Sequence, residues 1–248
     1  MGNKIQHPKP NTLSKLINKQ LLAALVLAIA TGLLVILTNF PSLAVFTKLP
    51  PAKSHPLPPT LVQWEDQTNS GDYFSEIATT EVGYLVWSKF PVKVHIKRPI
   101  TNSQQAQVWV DSVLQTVEEW NNYLPLVVVE SPKIADITIE RKTPPLEFSR
   151  EDKIPRARSA LTRYHLYTSN NVLLHRFSIL LSPSQTGRYL LAASRHELGH
   201  ALGIWGHSPL ETDALYFSQV RNSPPISPRD VNTLKRVYEQ PTSLGFNY

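Results

Sequence analysis

Residues 196–207 read HELGHALGIWGH. His196 and His200 stand four apart, so on a helix their imidazoles project from one face about one turn apart. Two such nitrogens can ligate one zinc ion, at about 2.0–2.1 Å each. Glu197 is adjacent to the first imidazole; on a site of this kind a carboxylate takes a proton from a water molecule that the metal activates. Gly203 comes three residues after His200, where a glycine ends a helix in the left-handed region at no steric cost. The chain then has room to turn back and bring His207 to the same ion. Three neutral imidazoles with a fourth position open make a tetrahedral catalytic site for one zinc ion. Leu190, Leu191, Leu198, Ala201 and Leu202 give the same stretch an apolar face, which predicts a packed helix with its histidines toward a cleft.

The elements that must carry this helix follow from periodicity. The alternation Val92, Val94, Ile96 predicts a strand within 84–97, with Pro91 at its start or at an edge. Ala106, Val110, Val113, Val117 and Trp120 fall at steps of three and four, one face of a helix over 103–121 capped by Ser103. Residues 124–130 and 135–140 are short and β-branched, so they predict two strands, and 160–167 and 172–181 predict two more. The Pro-rich, charged stretch 143–158 reads as a loop. A helix over 188–203 carries the histidines, and a last helix over 227–240 has Ser227 as N-cap, Pro228 at its first position and Asp230 completing a capping box. Strand, helix, several strands, helix, loop and helix make an α+β domain around a mixed sheet.

The chain has 248 residues and no cysteine, which excludes disulfide scaffolds, iron–sulfur clusters, cysteine-ligated zinc fingers and cysteine proteases. The formal charge of +6 is one-sided, because residues 1–64 contain six lysines and no acid. The remainder is balanced, so no net positive charge is available to drive phosphate binding, and nucleic acid is not an expected partner. The basic excess flanks residues 21–38, LLAALVLAIATGLLVILT, 18 residues without a charge. At about 1.5 Å per residue the run nearly crosses a ~30 Å hydrocarbon layer. The lysines before it predict a cytoplasmic N-terminus and an exported remainder. Two outcomes stay open: a single-pass anchor over 21–46, or a signal peptide cut after Ala44, which would release the protein. Residues 47–60 contain five prolines and predict an extended spacer; whether 47–80 are a spacer alone or cover the cleft as a pro-segment stays open. The expected organisation is therefore a basic cytoplasmic 1–20, a membrane segment 21–46, a Pro-rich linker 47–71 and a metal-binding domain 72–248.

HELGHALG followed by His207 resembles the metzincin zinc metalloproteases, most closely the matrixin-like branch with its small bacterial members. Only residues 196–216 carry specific resemblance, although the element order over 84–240 is similar. The resemblance implies a zincin fold with a twisted mixed sheet, an active-site helix and a C-terminal helix. It implies a zinc endopeptidase acting on polypeptide substrates, with His196, His200 and His207 as ligands and Glu197 as general base. Two departures stand out. Ile204, Trp205 and Gly206 separate Gly203 from His207, one residue more than the family spacing; Gly206 is the residue expected to absorb it, and Asp213 or Glu211 are alternative third ligands. The family's turn methionine is also missing, since Met1 is the only methionine. Asp213-Ala214-Leu215-Tyr216 resembles that turn with Leu215 in the methionine's place. Tyr216 then either lines a substrate pocket or belongs to the core. His165 and His175 read as structural or surface residues, and Glu147, Glu151 and Asp152 are too few for a calcium cage. A membrane-tethered module without catalysis is the reading from another class.

Overall fold

The computed structural model describes residues 48–100, 103–146, 158–220 and 222–248. The basic stretch 1–20 and the apolar segment 21–46 lie outside the described residues, as do Glu147, Glu151 and Asp152. Among the described residues no helix is long and apolar enough to cross a membrane.

The elements in chain order are α1 (Pro59–Gln63), β1 (Val92–Lys97), α2 (Gln104–Asn121), β2 (Leu126–Val128), β3 (Ile137–Arg141), β4 (Ala160–Ser169), β5 (Val172–Leu181), α3 (Gly187–Ala201) and α4 (Pro228–Tyr238). The strands form one sheet in the order β2-β1-β3-β5-β4. The pairings β1–β2, β1–β3 and β3–β5 are parallel, and β4 runs antiparallel to β5 along its whole length. The fold is therefore α+β with a mixed five-stranded sheet, and β4 is its antiparallel edge.

Local chemistry explains most of these elements. In β5 the buried positions Leu173, His175, Phe177, Ile179 and Leu181 alternate with more exposed ones, the period of a strand with one face on a core. In α2 the buried set Ala106, Trp109, Val110, Val113, Thr116, Val117 and Trp120 makes a continuous stripe, and the Ser103 hydroxyl accepts a hydrogen bond from Ala106 N at 3.1 Å as N-cap. The capping box of α4 is complete, with Ser227 and Asp230 bonded to each other's backbone. The helix α3 packs on α2 and on β4 and β5.

Three expectations change in extent. The first strand starts at Val92 and not at Tyr84, because Pro91 has no N–H for a ladder. Leu85, Val86 and Trp87 are nevertheless buried, and the Trp87 indole donates to Ala201 O at 2.9 Å, so this segment packs as a loop beneath the end of α3. The second strand has three residues; it begins after Pro125, whose missing N–H sets its start in the same way. The Pro-rich stretch expected as a spacer lies against the domain over its described part, from residue 48. Lys53 and Thr242 exchange two backbone hydrogen bonds at 3.0 Å, Ser243 donates to Pro50 O at 2.6 Å, His55 stacks on Phe246, and Leu61 has no exposed surface. Prolines lower the entropy lost when such a segment is laid down, and Leu61 gives it an apolar anchor.

That anchoring has a measurable size. Replacing a fully buried leucine by alanine costs about 2–5 kcal/mol. Leu61→Ala is expected to lower the unfolding free energy by that amount in urea titrations, whereas a free spacer would show no change.

Candidate metal centre

His196 and His200 lie within the last two turns of α3, and the helix gives way at Leu202 and Gly203. Gly203 has φ +128° and faces Leu85 O, a conformation and a close approach that no side chain fits well. The loop that follows returns His207 to the two helical histidines, and the ligand atoms of His196, His200 and His207 all lie within 4.8 Å of one another. These three form a group that could hold a metal ion.

The hydrogen bonds on the far sides of the rings decide which nitrogens face the centre. His196 Nδ1 lies 3.1 Å from Ala214 O and His200 Nδ1 lies 2.7 Å from Ile204 O. A carbonyl oxygen only accepts, so each Nδ1 carries the proton and each Nε2 presents a lone pair. The two Nε2 atoms are 3.0 Å apart. Two lone pairs at that separation repel unless a cation lies between them. A proton is a poor candidate at neutral pH, because burial lowers the pKa of His196 to about 3 and that of His200 to about 4. Nitrogens bound tetrahedrally at 2.0–2.1 Å stand about 3.3 Å apart, so the observed spacing fits a metal. Imidazole donors alone suit zinc, copper, iron or nickel.

Two cavities of about 440 and 520 Å³ open over this centre and share Arg158, Ala160, His196, Glu197 and His207. Glu197 is half-buried between them. Its carboxylate accepts the Thr162 hydroxyl at 2.6 Å, and Thr162 sits on the edge strand β4. Burial raises the Glu197 carboxyl above its usual range, against the opposing pull of His196 and of the Thr162 hydrogen bond. Burial lowers the His207 imidazole below its usual range, the Arg158 guanidinium adds to that shift, and the same guanidinium opposes the rise at Glu197.

The turn after His207 is built as a support. Ser208 N donates to Leu215 O at 2.8 Å, and Tyr216 N to Asp213 O at 3.1 Å. Leu215 is fully buried and lies under Gly199 of α3, where a Cβ would come within 2.7 Å of a Leu215 methyl and 3.0 Å of the Trp120 ring. Asp230 holds the turn from the other side: it accepts Ala214 N at 2.8 Å, the Tyr73 hydroxyl at 2.6 Å and Ser227 N at 2.8 Å. Sequence reasoning missed Asp230 in this role, and it missed Thr162 and Arg158, because each acts across contacts far apart in the chain.

The other expected residues fall as follows. Asp213 does not join the histidine group; it accepts the Ser208 hydroxyl and pairs with Arg229 at 3.0 Å. Glu211 is exposed outside the group, so the third position belongs to His207. Gly206 does not absorb the extra residue through a left-handed conformation, since its φ is not positive. Its need is space, because a Cβ there would collide with Glu76 O. Tyr216 lines the cleft together with Phe217. His175 is buried in the core and stacks on Trp87 with centroids 4.0 Å apart, while His165 is exposed on β4. Neither reaches the centre.

No protein-family model matches this chain, and a search of the curated proteins returns no match. The assignment of the centre therefore rests on its geometry. His196→Ala is expected to abolish binding of one equivalent of metal in equilibrium dialysis followed by elemental analysis. Gly206→Ala, which keeps all three histidines in the chain but displaces the loop that carries His207, is expected to weaken affinity about 10–100-fold, the range for lost outer support of a ligand.

Proposed function

We propose that this protein is a zinc-dependent endopeptidase of the matrixin-like metzincin type, with His196, His200 and His207 holding one zinc ion and Glu197 as general base. The observation that carries the proposal is Glu197. A centre that only held a metal would have no use for a carboxylate beside its ligands, half-buried and oriented by Thr162 where both cavities meet. Zinc, when bound, supplies a Lewis acid for the scissile carbonyl and lowers the pKa of water. Glu197 accepts the proton of the attacking water and passes it to the leaving amine. The Thr162 hydroxyl fixes the rotamer that makes this transfer short.

The edge strand β4 supports a polypeptide substrate. Among the described residues it pairs with β5 on one side only, which leaves the N–H and C=O groups of its other edge for an added strand. Ala160 and Thr162 place that edge along the cleft. An extended peptide laid there runs past Glu197, and Tyr216, Phe217 and Val220 offer apolar contacts on one side of the centre. Removing the base is expected to separate chemistry from binding. Glu197→Gln should keep one zinc per chain and the parental melting profile, and should lose peptidase activity by about 10²–10⁴. Zinc content and cleavage rate are measured on one preparation. A parent that binds zinc and cleaves no peptide in a diverse library would mark the domain as a metal-holding module instead.

We further propose that residues 21–46 anchor the chain with its N-terminus in the cytoplasm, on the strength of the uncharged run and the lysines before it. A reporter active only outside the cytoplasm, fused after residue 60, is expected to be active; activity of a cytoplasmic reporter at the same place would reverse the orientation.

A further inference from the structure

The described residues between Tyr216 and Pro228 have little regular structure of their own, yet they form one wall of the cleft through Gln219, Val220 and Pro224. A further cavity of about 720 Å³ is also lined by Val220 and Pro224, together with Asn222 and Ser223. The wall thus borders two cavities, with little packed mass to fix its position. Something other than burial must set it.

Arg195 meets that need. It belongs to α3, immediately before His196, and is 8% exposed. Its guanidinium makes a two-pronged pair with Glu119 of α2, Nε to Oε2 at 2.5 Å and Nη2 to Oε1 at 2.8 Å. The remaining nitrogen, Nη1, donates to the Ser223 hydroxyl at 3.0 Å and to Pro224 O at 3.1 Å. One planar group therefore bonds α2 and the loop at once, from a backbone position on the metal helix. The fork is locked on the side of Glu119, so Nη1 has a fixed direction, and the loop is held where that direction points. Lysine cannot reproduce this, because a single ammonium lacks the fork.

We infer that Arg195 is a positioning residue that sets the width of the cleft beside the metal centre and so determines which side chains the cleft accepts next to the scissile bond. The inference rests on the peptidase reading for its substrate, and on the hydrogen bonds alone for the loop. Arg195 touches neither substrate nor metal; it acts through Ser223 and Pro224.

The experiment uses the full chain in detergent, parent against Arg195→Lys, Arg195→Ala and Ser223→Ala. The first readout needs no activity: amide hydrogen exchange of 219–226 by mass spectrometry. Hydrogen bonds to a charged donor are individually strong, and local opening governs exchange, so exchange in both Arg195 variants is expected to be about tenfold or more faster in this segment. Ser223→Ala, which keeps the bond to Pro224 O, should fall between them and the parent. The second readout is the ranking of peptides that differ only in the residue after the scissile bond. The Arg195 variants are expected to compress the spread of kcat/KM across that series about tenfold, mainly through KM, with zinc content unchanged. A purely structural role would lower all peptides by one factor and keep their order.

Parental exchange in Arg195→Lys, or an unchanged spread of kcat/KM across the series alongside faster exchange, overturns the inference. If Arg195→Ala does not fold, Arg195→Lys carries the test, since it keeps the stem and the charge. If the parent cleaves no peptide, the peptidase reading fails and with it the specificity role, while the exchange measurement still decides whether Arg195 holds the loop.

Discussion

The centre depends on one constraint: two imidazoles on successive turns of α3 must point the same nitrogen inward. A histidine has two nitrogens and a free χ2 rotation, so the helix alone does not choose between them. The choice is made by two carbonyl oxygens outside the helix, Ala214 O on His196 Nδ1 and Ile204 O on His200 Nδ1. Much of the surrounding architecture exists to hold these two oxygens. Gly203 turns the chain sharply after α3, which brings Ile204 back over His200. Ala214 is held through its own N–H by Asp230, whose carboxylate is also bonded to Tyr73 and to the start of α4. The capping box of α4 is thus a structural support of the histidine group, acting through the backbone of Ala214.

Beneath the helix the same economy holds. Gly199 has no side chain, so Leu215 and the Trp120 ring come up against the backbone of α3. Trp120 also donates its indole N–H to Arg195 O at 3.1 Å, joining the end of α2 to the turn of α3 that carries His196. A leucine serves in the turn because the task is to fill volume under a glycine, and a branched aliphatic chain fills it about as well as a thioether does. The support of His196 comes from the backbone of Ala214 and not from the side chain of its neighbour.

What the sequence made legible follows from the range of each interaction. The helix of His196 and His200, the capped helix at Ser227 and the alternation of β5 are local patterns, and each could be read without knowing what it packs against. The order of the strands was not legible, since parallel pairing of β1 with β3 joins residues more than forty apart and leaves no local mark beyond apolar content. The same limit hid Thr162. A threonine in a strand has ordinary propensity reasons to be there, and only the docking of β4 against α3 turns it into the partner of Glu197. The proline-rich stretch was misjudged for a related reason: its composition describes an extended chain correctly and says nothing of the surface it is laid on.

The antiparallel direction of β4 is the last piece that the site requires. Three parallel pairings build most of the sheet, but a further parallel strand would need another crossover connection and would bury the edge beside α3. The tight turn at Asn170 and Asn171, both with positive φ, reverses the chain from β4 into β5, and among the described residues no strand pairs with the outer edge of β4. Helix α3 packs against these two strands, so the open rim and the histidines share one cleft. The edge strand and the Glu197 carboxylate are thereby brought together by topology, and Thr162 is the residue in which the two meet: it belongs to the edge strand through its backbone and to Glu197 through its hydroxyl.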